Sequence, residues 1–385
     1  MKHLVVLLTL SASLACSGEA GMTALQTYPA VDAAFRGKVD LNNLQNYANQ
    51  AVPAYIRKFN DTNFITNGGA TLGRVLFYDK RLSSNDTVSC ASCHQQQHAF
   101  SDTAVVSQGV NGTTGRHSMR LVNARFALET KFFWDERAQS LEAQTTMPIR
   151  DHGEMGFSGA NGDPDFSTLL TKLAAVDYYR ELFKFAFGSE EVTEAKMQLA
   201  LGQFIRSIQS FDSKFDAGRA LVPNNNSTFP NFTAEENLGK SLFLLPPVFS
   251  GSSRTGGGVG CAGCHRAPEF DIDPNSANNG VTGKIGGGTD LTNTRSPSLR
   301  DLVKADGSPN GPMMHNGSLA SLGAMVDHYN TISATGNTNL DVRLRPNGSG
   351  QSLSMTAAEK SALVAFLRTL TGSAVYTDAR WSNPF

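Results

Sequence analysis

Leu72-Gly-Arg-Val-Leu-Phe77 followed by Cys90-Ala-Ser-Cys-His94, and Leu238-Gly-Lys-Ser-Leu-Phe243 followed by Cys261-Ala-Gly-Cys-His265, decide how this chain is read. Each is a short apolar helix pattern and then a Cys-x-x-Cys-His motif, so one unit occurs twice. Two thiols at this spacing form thioethers to the vinyl groups of a haem, and the adjacent imidazole reaches the iron as proximal ligand. A zinc ribbon and a thioredoxin-like pair are the competing readings. A ribbon keeps its pairs within roughly two dozen residues, and neither alternative explains a His after both pairs. Cys90, Cys93 and His94 are therefore expected to hold one haem c, and Cys261, Cys264 and His265 a second.

The rest of the composition fits an exported, folded chain. With 33 Lys+Arg against 34 Asp+Glu over 385 residues, there is no basic field to hold a phosphate backbone, which argues against nucleic-acid binding. The length suggests two domains. Lys2, the apolar run Leu4 to Leu10 and the small residues Ser11 to Ala15 read as a signal peptide over residues 1–20, which puts the protein in the periplasm. Cys16 follows Ser-Leu-Ala, a lipoprotein-like box without the usual Leu three residues before the Cys. Cleavage there, with or without a lipid anchor, and cleavage nearer Ala20 both stay open. The five cysteines thus divide into four thioether positions and one leader residue, and no disulfide is expected.

Periodicity is mostly helical. Asp165 to Ala175, Tyr178 to Phe187 and Thr193 to Ile208 repeat apolar residues every three or four positions. Thr356 and Glu359 make a capping box for a helix through Leu370. Val222 to Pro230, the Gly/Ser-rich Gly251 to Gly260, and Asp271 to Thr294 read as loops. The expected fold is mainly α: two cytochrome c-like haem domains related by the internal repeat, residues 21–225 and 226–385, with long Gly-rich loops. The alternative is that the last helices pack back on the first domain.

Further motifs resemble those of the bacterial dihaem cytochrome c peroxidases and their MauG relatives. They are Leu72-Gly-Arg-Val-Leu-Phe-Tyr-Asp-Lys-Arg-Leu-Ser83, Ala99-Phe-Ser-Asp102, Phe132-Phe-Trp-Asp-Glu-Arg-Ala138, Glu154-Met-Gly156, Ser296-Pro-Ser-Leu-Arg300 and His315-Asn-Gly317. The resemblance implies that the His94 haem meets peroxide. Glu154 would be the distal acid–base group, Gln144 and Pro148 the other distal positions, and Trp134 the indole between the haems. Proton transfer by a positioned carboxylate suits O–O cleavage. The bland readings are a solvated loop Glu and a core Trp.

The resemblance also implies that the His265 haem is six-coordinate. Its second ligand would be Tyr329, as in MauG, with Met325 one turn earlier as the runner-up. A thioether raises the potential, whereas a phenolate favours higher oxidation states. Conventional members carry a switch histidine in the loop matching Ser107 to Gly115. This loop has none, so the first haem is expected to be open without reductive activation. His98, His117 and Met119 are the rival ligands. His117 also stands where the family has an Asn that helps hold an inter-domain Ca2+, with carbonyls near Arg295 and Pro297. An imidazole suits calcium poorly, since that ion takes oxygen.

These readings imply a periplasmic dihaem peroxidase that reduces H2O2 with electrons from a small cytochrome c or copper protein. The alternatives are a MauG-like oxidase acting on residues of a partner protein, and a non-enzymatic dihaem electron carrier with both irons six-coordinate.

Overall fold

The computed structural model describes residues 26–385 apart from 61, 129 and 273–275. The signal peptide read over residues 1–20, with Cys16, lies outside the described residues. The chain is mainly helical with few strands. In order come α1 (Pro29–Phe35), α2 (Asn67–Tyr78), α3 (Cys90–Cys93), α4 (Leu141–Arg150), α5 (Phe166–Ala174), α6 (Asp177–Phe187) and α7 (Glu194–Ser207). Then follow α8 (Lys214–Arg219), α9 (Ala234–Leu244), α10 (Leu322–Asn330) and α11 (Ala357–Arg368). Among the described residues no helix is long and apolar enough to cross a membrane.

Two hydrophobic cores organise these helices. In the first, Leu72, Val75 and Leu76 of α2 pack with Leu201 and Phe204 of α7 and Leu182 of α6. In the second, Leu242 and Phe243 of α9 pack with Leu363 and Phe366 of α11 and Val326 of α10. The change of core falls between Ile208 and Phe215. The breaker-rich stretch near residue 225 connects α8 to α9.

The repeat seen in the sequence is a repeat of contacts. Gly73 of α2 lies so close to α7 that a Cβ there would stand 2.0 Å from the Ala200 carbonyl oxygen and 2.8 Å from the Phe204 Cβ. Gly239 of α9 meets α11 alike, at 1.9 Å from the Ala362 oxygen and 2.8 Å from the Phe366 Cβ. Glycine is needed at both crossings because the facing atoms are main chain and cannot move aside.

Local signals explain the helix ends. The Thr356 side chain accepts from Glu359 N while Glu359 caps Thr356 N in return, closing the capping box of α11. The stretch Gly251 to Gly260, expected to be loop, instead contributes β2 (Ser253–Gly257), which pairs antiparallel with β1 (Pro247–Ser250). The ladder uses main-chain groups alone, so glycine and serine do not prevent it. Two shorter strands, β3 (His265–Arg266) and β4 (Asp271–Ile272), fold the chain back from the last residue of the second Cys-x-x-Cys-His.

The tail departs from the second core. Val375 and Trp381 are buried in the first one. There, Arg74 Nε donates to the Ser382 carbonyl at 2.6 Å and Tyr78 Oη to the Trp381 carbonyl at 2.6 Å.

Candidate functional site

The two Cys-x-x-Cys-His motifs each open onto a cavity. In the second half, Cys261, Cys264, His265, Met325 and Tyr329 line one of about 470 Å3. In the first half, His94, Trp134, Gln144, Pro148 and Glu154 line one of about 630 Å3. A cleft of about 80 Å3 beside it is lined by Cys90, Cys93 and His94 together with Gln144, Pro148 and Glu154. The two larger volumes lie in the range of cofactor sites, about 300–1,000 Å3.

The residues present fit a haem c in each. All four described cysteines are unbridged thiols, placed at the cavity walls. His94 Nδ1 stands 3.2 Å from the Phe100 carbonyl, which fixes that nitrogen as the N–H and leaves Nε2 as the lone-pair donor. Burial pushes the imidazoles of both His94 and His265 down, His265 to about 4, which favours the neutral form that an iron ligand needs. Phe100, six residues after His94, and Phe270, five after His265, are both fully buried with positive φ of 59° and 55°.

On the distal side, helix α4 presents Gln144 and Pro148 one turn apart on one face. Pro148 has no N–H to give the Gln144 carbonyl, so that helical bond is missing beside the cavity. Glu154 follows a tight turn in which Asp151 Oδ1 accepts from Gly153 N at 2.8 Å and Glu154 N at 3.0 Å. Burial pushes the Glu154 carboxyl up to about 7, with the Asp151 charge adding to the rise and Arg137 opposing it.

The loop without a histidine lies directly against this turn. Val110 N donates to the Glu154 carbonyl at 2.9 Å, and a Cβ on Gly109 would stand 2.0 Å from the Gly153 oxygen. These contacts escaped the sequence reading, which found in the loop only an absence. Asp151 did carry a local signal, an Asp two residues before a Gly.

Trp134 lies between the halves, nearly buried. It lines the first cavity and also a small cleft of about 70 Å3 that reaches His265, Met325 and Tyr329. The His315 ring packs edge-on against it at 6.4 Å. Of the rival ligands, His98 lines none of these cavities. His117 Nδ1 is 3.0 Å from the Ala104 carbonyl, and the Met119 sulfur accepts from Arg295 Nη1 at 3.7 Å. Tyr329 and Met325 both line the second cavity from α10, whereas His328 Nε2 turns to the Asn279 carbonyl at 3.0 Å. Among the described residues no three His, Cys, Asp or Glu side chains gather as a metal site.

Comparison with known proteins places the chain in a family. A family model described as di-haem cytochrome c peroxidase matches residues 67–220. The methylamine utilization protein MauG of Methylorubrum extorquens is 34% identical over 321 residues, which is 80% of this chain and 79% of that protein. Cytochrome c551 peroxidase of Nitrosomonas europaea is 28% identical over 319 residues, covering 79% and 80%. The crystal structure of a MauG-like protein associated with microbial copper homeostasis superposes with a TM-score of 0.67 at 29% identity, covering 87% of this chain and 99% of that one.

Proposed function

The chain belongs to the di-haem cytochrome c peroxidase and MauG family, and from that premise we propose that it reduces H2O2 to two waters with two electrons from a small redox protein. The export signal read in residues 1–20 assigns this reaction to the periplasm. Each haem, when bound, supplies an iron that takes up or passes on one electron at a time.

The chain's own residues do the rest. Cys90 and Cys93 would anchor the first haem and His94 would ligate its iron; Cys261, Cys264 and His265 would do the same for the second, with Tyr329 as its further ligand. Glu154 takes a proton from one peroxide oxygen and returns it to the other as that oxygen leaves as water. Gln144 and Pro148 shape the space in which peroxide stands. Trp134 occupies the gap that electrons must cross, and a partly oxidised indole divides that distance into two shorter steps.

The observation that carries this reading is the placement of Glu154 in the same cavity as His94, where burial raises its carboxyl to about 7. A carboxyl half-ionised at neutral pH both accepts and returns a proton, which general acid–base catalysis requires. The test is an EPR spectrum of the ferric protein before and after H2O2. One high-spin and one low-spin haem with a prompt response support the proposal, while two low-spin haems inert to peroxide would make the protein an electron carrier.

A second reading keeps the same site and draws the electrons from residues of a partner protein. Tyr329 in the second cavity and the likeness to MauG support it.

A further inference from the structure

Arg120 is half-buried, and its side-chain hydrogen bonds go to main chain. Its Nε donates to the Arg300 carbonyl at 3.0 Å and its Nη2 to the Ser298 carbonyl at 3.2 Å. Among the described residues no carboxylate forms an ion pair with it, and the influence of Asp301 is felt only at longer range. Asp301 has other business: its Oδ1 accepts from Gly372 N at 2.8 Å. Burial accordingly pulls the Arg120 guanidinium below its ordinary value. The neighbouring cations differ. Arg116 is paired with Asp135 and Asp290, and Arg137 with Asp135. Lys284 lies on the exposed rim.

The place of this charge says what it is for. Arg120 lines both the cavity that holds His94 and Glu154 and the small cleft that reaches His265 and Tyr329. A half-buried guanidinium whose hydrogen bonds go to peptide carbonyls, with Asp301 acting only at longer range, keeps charge and donor capacity for an arriving anion. Thioether formation consumes both vinyl groups of a haem but leaves its two propionate carboxylates free. A planar fork of N–H donors suits such a carboxylate.

We propose that Arg120 binds a haem propionate at the boundary between the two cavities and thereby holds up the reduction potential of that haem. This rests on the reading of the two Cys-x-x-Cys-His motifs as haem sites and not on peroxide being the substrate. A fixed positive charge beside a haem disfavours its more positive ferric state, so the potential is higher with Arg120 than without it. Pairing also keeps the propionate ionised in both oxidation states. Without the guanidinium, the carboxylate would bind a proton more readily in the ferrous state, and the potential would fall as pH rises.

The test is a potentiometric titration of the dihaem protein, followed by visible absorption at several pH values, for wild type, R120Q and R120K. The proposal expects R120Q to lower one of the two potentials and make it pH-dependent, and R120K to restore both properties. Unchanged potentials in R120Q, together with a lower melting temperature, would reduce Arg120 to a packing role and overturn the proposal. Should R120Q fail to load both haems, resonance Raman spectra of wild type and R120K decide. A shifted propionate bending band in one haem supports the contact, and identical bands in both overturn it. Either result is independent of peroxide turnover, so failure here leaves the proposed reaction standing.

Discussion

The indole N–H of Trp134 donates to the main-chain carbonyl of His117 over 2.7 Å. His117 N in turn donates to the His315 carbonyl at 2.8 Å, and Arg295 N to the Trp134 carbonyl at 2.7 Å. A residue from the first half is thus tied into main chain of both halves at the point where the two haem cavities approach. Trp134→Phe keeps an aromatic ring there but removes the donor, which lowers stability by about 1 kcal/mol. Electron transfer between the haems after a single addition of peroxide should slow far more than that small loss suggests. Stopped-flow spectra of the second haem measure it, and an unchanged rate would leave Trp134 as packing alone.

Glu154 sets two pH dependences of opposite sense. As the base that takes the peroxide proton it acts ionised, so the rate of reaction with H2O2 should rise with pH through about 7. Glu154→Gln should flatten that profile and lower the rate by roughly 10²- to 10⁴-fold.

Stability moves the other way. The folded-state value lies above the ordinary 4.5, so the native protein holds a proton that the unfolded chain has released. The contribution of this group to stability is greatest below about 4.5 and is lost as pH rises through about 7. Glu154→Gln should therefore raise the melting temperature at pH 8 relative to wild type and change it little at pH 4. A variant that melts like wild type at pH 8 would show that the carboxyl is not held in a desolvated place.

Tyr329 and Met325 occupy one face of α10, and single replacements separate them. Tyr329→Phe should abolish the low-spin EPR signal of the second haem while Met325→Leu preserves it. The reverse pattern would move the ligand to sulfur and raise the expected potential of that haem.

The two helix crossings give a symmetric expectation for stability. Gly73→Ala and Gly239→Ala each press a methyl group into a main-chain carbonyl, at 2.0 and 1.9 Å. Each should lower stability by about 1–3 kcal/mol or more through overpacking. Thermal melting of both variants checks this, and wild-type melting in either would show that its crossing opens easily.

Much of this architecture was legible because its determinants are local. The haem motifs lie within five residues each, and the α11 cap is set by Thr356 and Glu359, three apart. The likeness of the flanking motifs to a known family pointed to Glu154, Gln144, Pro148 and Trp134, and these do converge on one cavity with His94. Relations across long stretches of chain were not legible. Nothing near Gly109 says that it will meet Gly153, and nothing near Arg120 says that its neighbours will be the Ser298 and Arg300 carbonyls. The β1–β2 hairpin escaped notice for a different reason, since its ladder is made by main chain and the side chains that usually announce a strand are missing.

The return of the C-terminal residues to the first core bears on the order of assembly. Val375 and Trp381 fill space in a core begun by helices made much earlier, and Ser382 satisfies the buried guanidinium of Arg74, 308 residues before it. The amino-terminal half is therefore not a unit that finishes folding first and waits for its partner, as sequential synthesis would allow. It stays one wedge short until residues 375 to 382 have been made. A truncation of a dozen residues at the far end should register as damage at the beginning, loosening α2 and the His94 haem before it disturbs the nearer one.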